Sequence, residues 1–122
     1  MKDRNLTLNE YQRMSLETDT FDKTVAIFGK TTGLTEEAGE VAGKVKRIFR
    51  GDYPIMTDSK GAIIVPDIIH KAIAEELGDT LWYVATLASE IGYTLEEIAV
   101  MNYQKCKDRQ QRNVTKGEGD HR

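Results

Sequence analysis

Cysteine, histidine, proline and long apolar runs are scarce in this 122-residue chain, and it has no excess of positive charge. Cys106 stands alone, which excludes an internal disulfide and a cysteine-based zinc site and suits a reducing compartment. Its thiol reads as a buried or interface group. Two histidines, His70 and His121, are too few for a histidine metal set, and each reads as a surface residue. The two prolines, Pro54 and Pro66, bracket one short stretch and leave both flanks open to long helices. No run approaches the ~20 apolar residues of a bilayer span. The opening MKDRNLTLNEYQR has no apolar signal core, so a cytoplasmic protein without a membrane partner is expected. Seventeen Lys and Arg against twenty Asp and Glu leave a net charge of −3, which argues against nucleic acid as a partner.

What the chain does have is helical patterning. Thr7-Leu8-Asn9-Glu10 has the form of a capping box and predicts a first helix to about Glu17. A second should run to Arg50, its firm part starting near Thr32, because Gly29, Gly33 and the β-branched Thr31 and Thr32 weaken its beginning. Phe49 to Asp67 reads as a long loop with a short hairpin around Gly61 and the β-prone Ala62–Val65. A third helix follows Pro66 and stops at Gly92, and Thr94-Leu95-Glu96-Glu97 opens a fourth that ends near Arg112. The expectation is all-α: a four-helix bundle in one domain over residues 1–112, with a disordered tail over 113–122.

The acids repeat. Leu34-Thr35-Glu36-Glu37-Ala38-Gly39-Glu40 and Ile73-Ala74-Glu75-Glu76-Leu77-Gly78-Asp79 share one pattern on two predicted helices. At ~100° per residue, the third helix has an apolar stripe centred on Ile73 that includes Leu77, Leu81, Val84 and Leu87. Glu76 lies on its edge, Asp79 further round, and Glu75 points away. On the second helix Leu34, Ala38, Val41, Val45 and Ile48 form the stripe, with Glu37 on its edge and Glu40 beyond. If the stripes pack together, Glu37, Glu40, Glu76 and Asp79 converge at one margin of the core. Four carboxylates there need compensation, which Mg²⁺ or Mn²⁺ supplies to an all-oxygen site. An isolated E-E-x-x-E is usually a solvated face; the duplication and the inward edge argue for more.

The fourth helix supplies opposite charge. Asn102, Lys105, Arg109 and Arg112 share a stripe suited to polyphosphate, or to solvent near a helix C-terminus. Lys44, one turn past Glu40, is either a further phosphate ligand or an intrahelical partner of that glutamate. Tyr83 lies on the Asp79 side, while Trp82 points away from Ile73 and suits a subunit interface. With Trp82, Ala85 and Ile68 on other sides of the third helix, a homo-oligomer is expected, tetramer ahead of dimer.

These segments, GLTEEAGEVAGKVKR, EELGDTLWYVATLASEIGYTLEEIA and Asn102-x-x-Lys105-x-x-x-Arg109, resemble the MazG-like all-α nucleoside triphosphate pyrophosphohydrolases over about residues 28 to 110. Tyr11-Gln12 resembles the opening of single-domain bacterial or phage members. The resemblance implies four helices, dimers or tetramers, and Mg²⁺-dependent cleavage of an NTP or dNTP to the monophosphate and pyrophosphate. It implies Glu37, Glu40, Glu76 and Asp79 as metal ligands, with Glu37 or Glu40 accepting the proton of the attacking water. Asn102, Lys105 and Arg109 become substrate contacts. The stretch from Gly51 to Pro66 is longer than the matching connection in compact members. The competing reading is a non-catalytic metal-binding helical oligomer or regulatory interaction protein.

Overall fold

The computed structural model describes residues 5–122; the first four residues of the expected domain lie outside it. It is all-α apart from one small hairpin. Four helices, α1 (Leu8–Ser15), α2 (Ala26–Arg50), α3 (Asp67–Glu90) and α4 (Leu95–Gln111), follow in order, with a 3-10 turn at Leu16–Thr18 after α1. The hairpin joins α2 to α3, pairing β1 (Met56–Thr57) antiparallel with β2 (Ile63–Ile64), Met56 opposite Ile64. The Asp58 carboxylate accepts from the backbone N–H groups of Lys60 and Ala62 and shapes its turn. Helices α2 and α3 pack along one another; α1 lies against α3 and α4, and α4 also touches α3. Among the described residues, no helix is long and apolar enough to cross a membrane.

The predicted caps are present. Thr7 Oγ1 accepts from the Glu10 N–H while Glu10 accepts from the Thr7 N–H, and Thr94 Oγ1 accepts from the Glu97 N–H. Gly92, at φ 80°, follows α3 as expected.

Helix α2 begins at Ala26 rather than near Thr32, and its glycines explain the difference. A Cβ at Gly29 would sit 2.5 Å from the Phe21 ring, and one at Gly33 would collide with the ring of Tyr83. These positions let aromatic rings reach the helix backbone, and that packing offsets the weak helix propensity of glycine. Thr31 and Thr32 donate their hydroxyls to the carbonyls of Ile27 and Phe28, so both are satisfied within the helix.

The seam between α2 and α3 shares Val41, Ile48, Ile73 and Leu87 with the predicted stripes but is rotated from them. Ala26, Lys30, Gly33, Glu37, Val41, Lys44 and Ile48 follow helical spacing along α2, and each is buried or half-buried. Ile69, Ile73, Glu76, Thr80, Tyr83, Leu87 and Glu90 do the same along α3. Ala38, Leu77 and Leu81, assigned to the core from the wheel, are exposed, Leu77 by 54%. Lys30 and Lys44 occupy the seam because they meet Glu90 and Glu76 across it.

One buried glutamine ties the short helices to the long pair. Gln12 Nε2 donates to the carbonyls of Ala85 and Tyr93 and to Ser89 Oγ, and its Oε1 accepts from the Leu95 N–H. It therefore caps the start of α4 while holding the end of α3.

After α4, the segment expected to be disordered curls back onto the helix. Arg122 donates to the carbonyls of Val114, Thr115 and Gly119, and Arg112 donates to the Arg122 carbonyl.

Candidate functional site

Glu37 projects from the middle of α2, and Glu76 and Asp79 lie one turn apart on α3, so the seam brings the three carboxylates together. One oxygen from each lies within 4.8 Å of the others. Glu37 and Glu76 are half-buried and Asp79 is exposed, an order that follows their predicted distance from the seam. Desolvation, then the charges of Asp79 and Glu76, hold the Glu37 carboxyl above the usual carboxylate range. Such a set of oxygens in mutual repulsion fits a hard divalent cation.

Glu40, the fourth acid of the wheel, is exposed on the next turn of α2 and lies outside the close group. Glu75 is exposed. Lys44 reaches across the seam to Glu76, Nζ to Oε1 at 3.3 Å, so its carboxylate partner is Glu76 and not the intrahelical Glu40.

Two tyrosines border the acids. Desolvation and the charges of Glu37, Glu36 and Asp79 raise the Tyr83 phenol, and desolvation with Asp79 raises Tyr11. Tyr83 packs edge-on against Trp82, centroids 4.9 Å apart, and against Phe21 at 6.2 Å. Trp82, expected at a subunit interface, donates from Nε1 to Thr18 Oγ1 at 2.8 Å and so has partners in its own chain.

The residues of the α4 stripe are distributed differently. Asn102 is exposed and Lys105 half-buried, and both border an open groove of about 430 Å³ with Ile91, Tyr93, Ile98 and Met101. Arg109 is buried, and its guanidinium donates to the carbonyls of Gly119 and Asp120. Among the described residues, no hydrogen bond or ion pair joins Lys105 or Arg109 to the acidic group. Cys106, expected to be buried or at an interface, is exposed in the chain, and both histidines are exposed.

The sequence reading missed the ion cluster at the far end of the seam. Lys30 is fully buried, with Nζ 2.6 Å from Asp19 Oδ2 and 2.7 Å from Glu90 Oε1. Burial opposes its charge, but the two carboxylates outweigh that and raise the ammonium above its ordinary value. They pin the segment before α2 to the end of α3, beside the aromatic group. The signal was present: Ala26, Lys30, Gly33 and Glu37 share one helical row once α2 starts at Ala26.

Four helices with three carboxylates gathered across the long central pair define an all-α protein with an acidic centre. The model of the MazG nucleotide pyrophosphohydrolase domain matches residues 30–114, and the chain belongs to that family. It is 37% identical over 92 residues to the "Gene 37 protein" of Mycobacterium phage L5, across 75% of this chain and 73% of that protein. No solved structure matches it significantly.

Proposed function

We propose that this protein is a Mg²⁺-dependent nucleoside triphosphate pyrophosphohydrolase, acting on an NTP or dNTP of the cytoplasmic nucleotide pool. The observation that carries the reading is the convergence of Glu37, Glu76 and Asp79, with ligand oxygens within 4.8 Å, inside a family of nucleotide pyrophosphohydrolases. These three residues hold the cation, Mg²⁺ or Mn²⁺, and Glu40 one turn on completes the set. When bound, the cation polarises phosphate oxygens and makes water a better nucleophile at neutral pH.

The chain's own groups do the rest. Glu37 or Glu40 accepts the proton of the water that attacks the α-phosphorus. The bond from the α-phosphorus to the bridging oxygen breaks, and pyrophosphate leaves with the electron pair. Lys44 exchanges its Glu76 contact for a phosphate oxygen. Lys105 and Arg109 stabilise charge on the departing pyrophosphate, and Asn102 contacts the substrate beside them.

The proposed protein works as a homo-oligomer, tetramer ahead of dimer. Support comes from apolar groups left in water by one chain, among them Phe28 at 77%, Ile68 at 66%, Phe49 at 65% and Leu77. Incubation with a panel of NTPs and dNTPs plus Mg²⁺ tests the activity. Monophosphate and pyrophosphate are the expected products; orthophosphate would mean that a different bond is cut.

A further inference from the structure

The segment after α4 is rich in acid and glycine: Lys116-Gly117-Glu118-Gly119-Asp120. Nothing in the proposed chemistry uses it, yet it lies on the two cations assigned to phosphate. Asp120 Oδ1 stands 3.3 Å from Lys105 Nζ and 3.4 Å from Arg109 Nη2. The carbonyls of Asp120 and Gly119 accept from the same Arg109 nitrogen at 2.7 and 3.3 Å. The curl that presents these oxygens is closed by Arg122, which grips the carbonyls of Val114, Thr115 and Gly119.

The fit is incomplete. Arg109 is only 9% exposed, and its Nε is buried with no partner among the described residues. A guanidinium offers five donors in a planar fork, and an anion with several oxygens can engage them bidentately. The segment instead crowds its oxygens onto one nitrogen and leaves Nε unpaired, which costs free energy at a buried position. Asp120 is itself largely exposed, so its ion pairs are screened and readily exchanged. Lys105 and Arg109 thus form an anion site that a weak internal ligand fills poorly.

We infer that residues 113–122 act as a built-in competitor: Asp120 occupies the place on Lys105 and Arg109 that a substrate phosphate takes, and binding displaces the segment. This rests on the phosphate role proposed for those two residues. A tethered ligand competes at a high effective concentration even when each contact is weak, so the latch raises KM and leaves kcat alone.

The test uses the full chain with Asp120→Asn or Arg122→Gln, the second loosening the curl while leaving Lys105 and Arg109 themselves unchanged. Inorganic pyrophosphate is titrated calorimetrically in EDTA, so that only the cations are read, and KM and kcat for the triphosphate are then measured with Mg²⁺. Both variants should bind pyrophosphate roughly three- to fivefold more tightly, with KM lower by the same factor. Adding Lys105→Gln to Asp120→Asn should remove the gain. Unchanged or weaker pyrophosphate binding in both variants, or a gain that survives Lys105→Gln, overturns the latch. Normal triphosphate hydrolysis with no gain in affinity removes the latch and spares the proposed function. Tighter pyrophosphate binding without any hydrolysis does the reverse.

Discussion

Replacing Lys30 with Met keeps most of the side-chain volume and removes the charge between Asp19 and Glu90. In the wild-type chain the ammonium is fully buried, while its partners' side chains keep 15% and 26% exposure. Removing one member of a fully buried ion pair costs about 3 to 5 kcal/mol, because the remaining charge is stranded. Water reaches both carboxylates here, so the lower end applies, about 3 kcal/mol. For a domain of this size that lowers Tm by roughly 12 °C. Lys30→Met with Glu90→Gln should recover part of the loss, since one stranded charge disappears. pH gives a second readout. Burial raises the Asp19 carboxyl, but the Lys30 ammonium, the Phe21 N–H and the charge of Lys23 together hold it below its ordinary value, so its contribution is complete above about pH 4 and is lost as pH falls through the lowered value. Lys30 is raised, so its contribution is complete below about pH 10 and is lost as pH rises through the raised value. Thermal melts followed by circular dichroism from pH 2 to 11 measure both. A fall in Tm below about 3 °C at pH 7, or a variant with unchanged acid and alkaline limbs, would refute the reasoning.

Three further outcomes follow from the packing. Gln12→Ala strands the Leu95 N–H and the contacts to Ala85 and Tyr93, and should cost about 2 to 3 kcal/mol in denaturant unfolding. Gly33→Ala drives a methyl into the Tyr83 ring and should destabilise by about 1 to 3 kcal/mol, whereas Gly43→Ala, with open space around it, should stabilise by up to about 1 kcal/mol. Sedimentation at micromolar concentration should show a homo-oligomer, and a stable monomer would contradict the proposed assembly.

Much of this geometry is legible in the amino-acid order. The caps at Thr7 and Thr94, the hairpin after α2 and the stop at Gly92 are local features, and each is decided by a few neighbouring residues. Glu37, Glu76 and Asp79 were also reachable, because duplicated spacing on two helices constrains which side chains can meet. What escaped depends on distant partners. Counting apolar residues rotates the seam toward Leu77 and Leu81, because nothing in the local order places Glu90 opposite Lys30 or Glu76 opposite Lys44. The start of α2 escaped for the same reason: the cost of Gly29 and Gly33 is local, while the contacts with Phe21 and Tyr83 that offset it are tertiary. The burial of Arg109 escaped as well, because it depends on the segment ten residues later that folds over it.

The central claim is that the acids gathered in the seam, and not acidity in general, perform pyrophosphate release. Pyrophosphate production from the preferred triphosphate with Mg²⁺ should be measured side by side for the wild type, Glu76→Gln and Glu75→Gln. Glu76 belongs to the close group and Glu75 is exposed one position away on the same helix. The account predicts metal-dependent turnover in the wild type, near-complete loss in Glu76→Gln and only a small change in Glu75→Gln. Equal activity in the two variants, or no metal-dependent pyrophosphate release from the wild type, would contradict it.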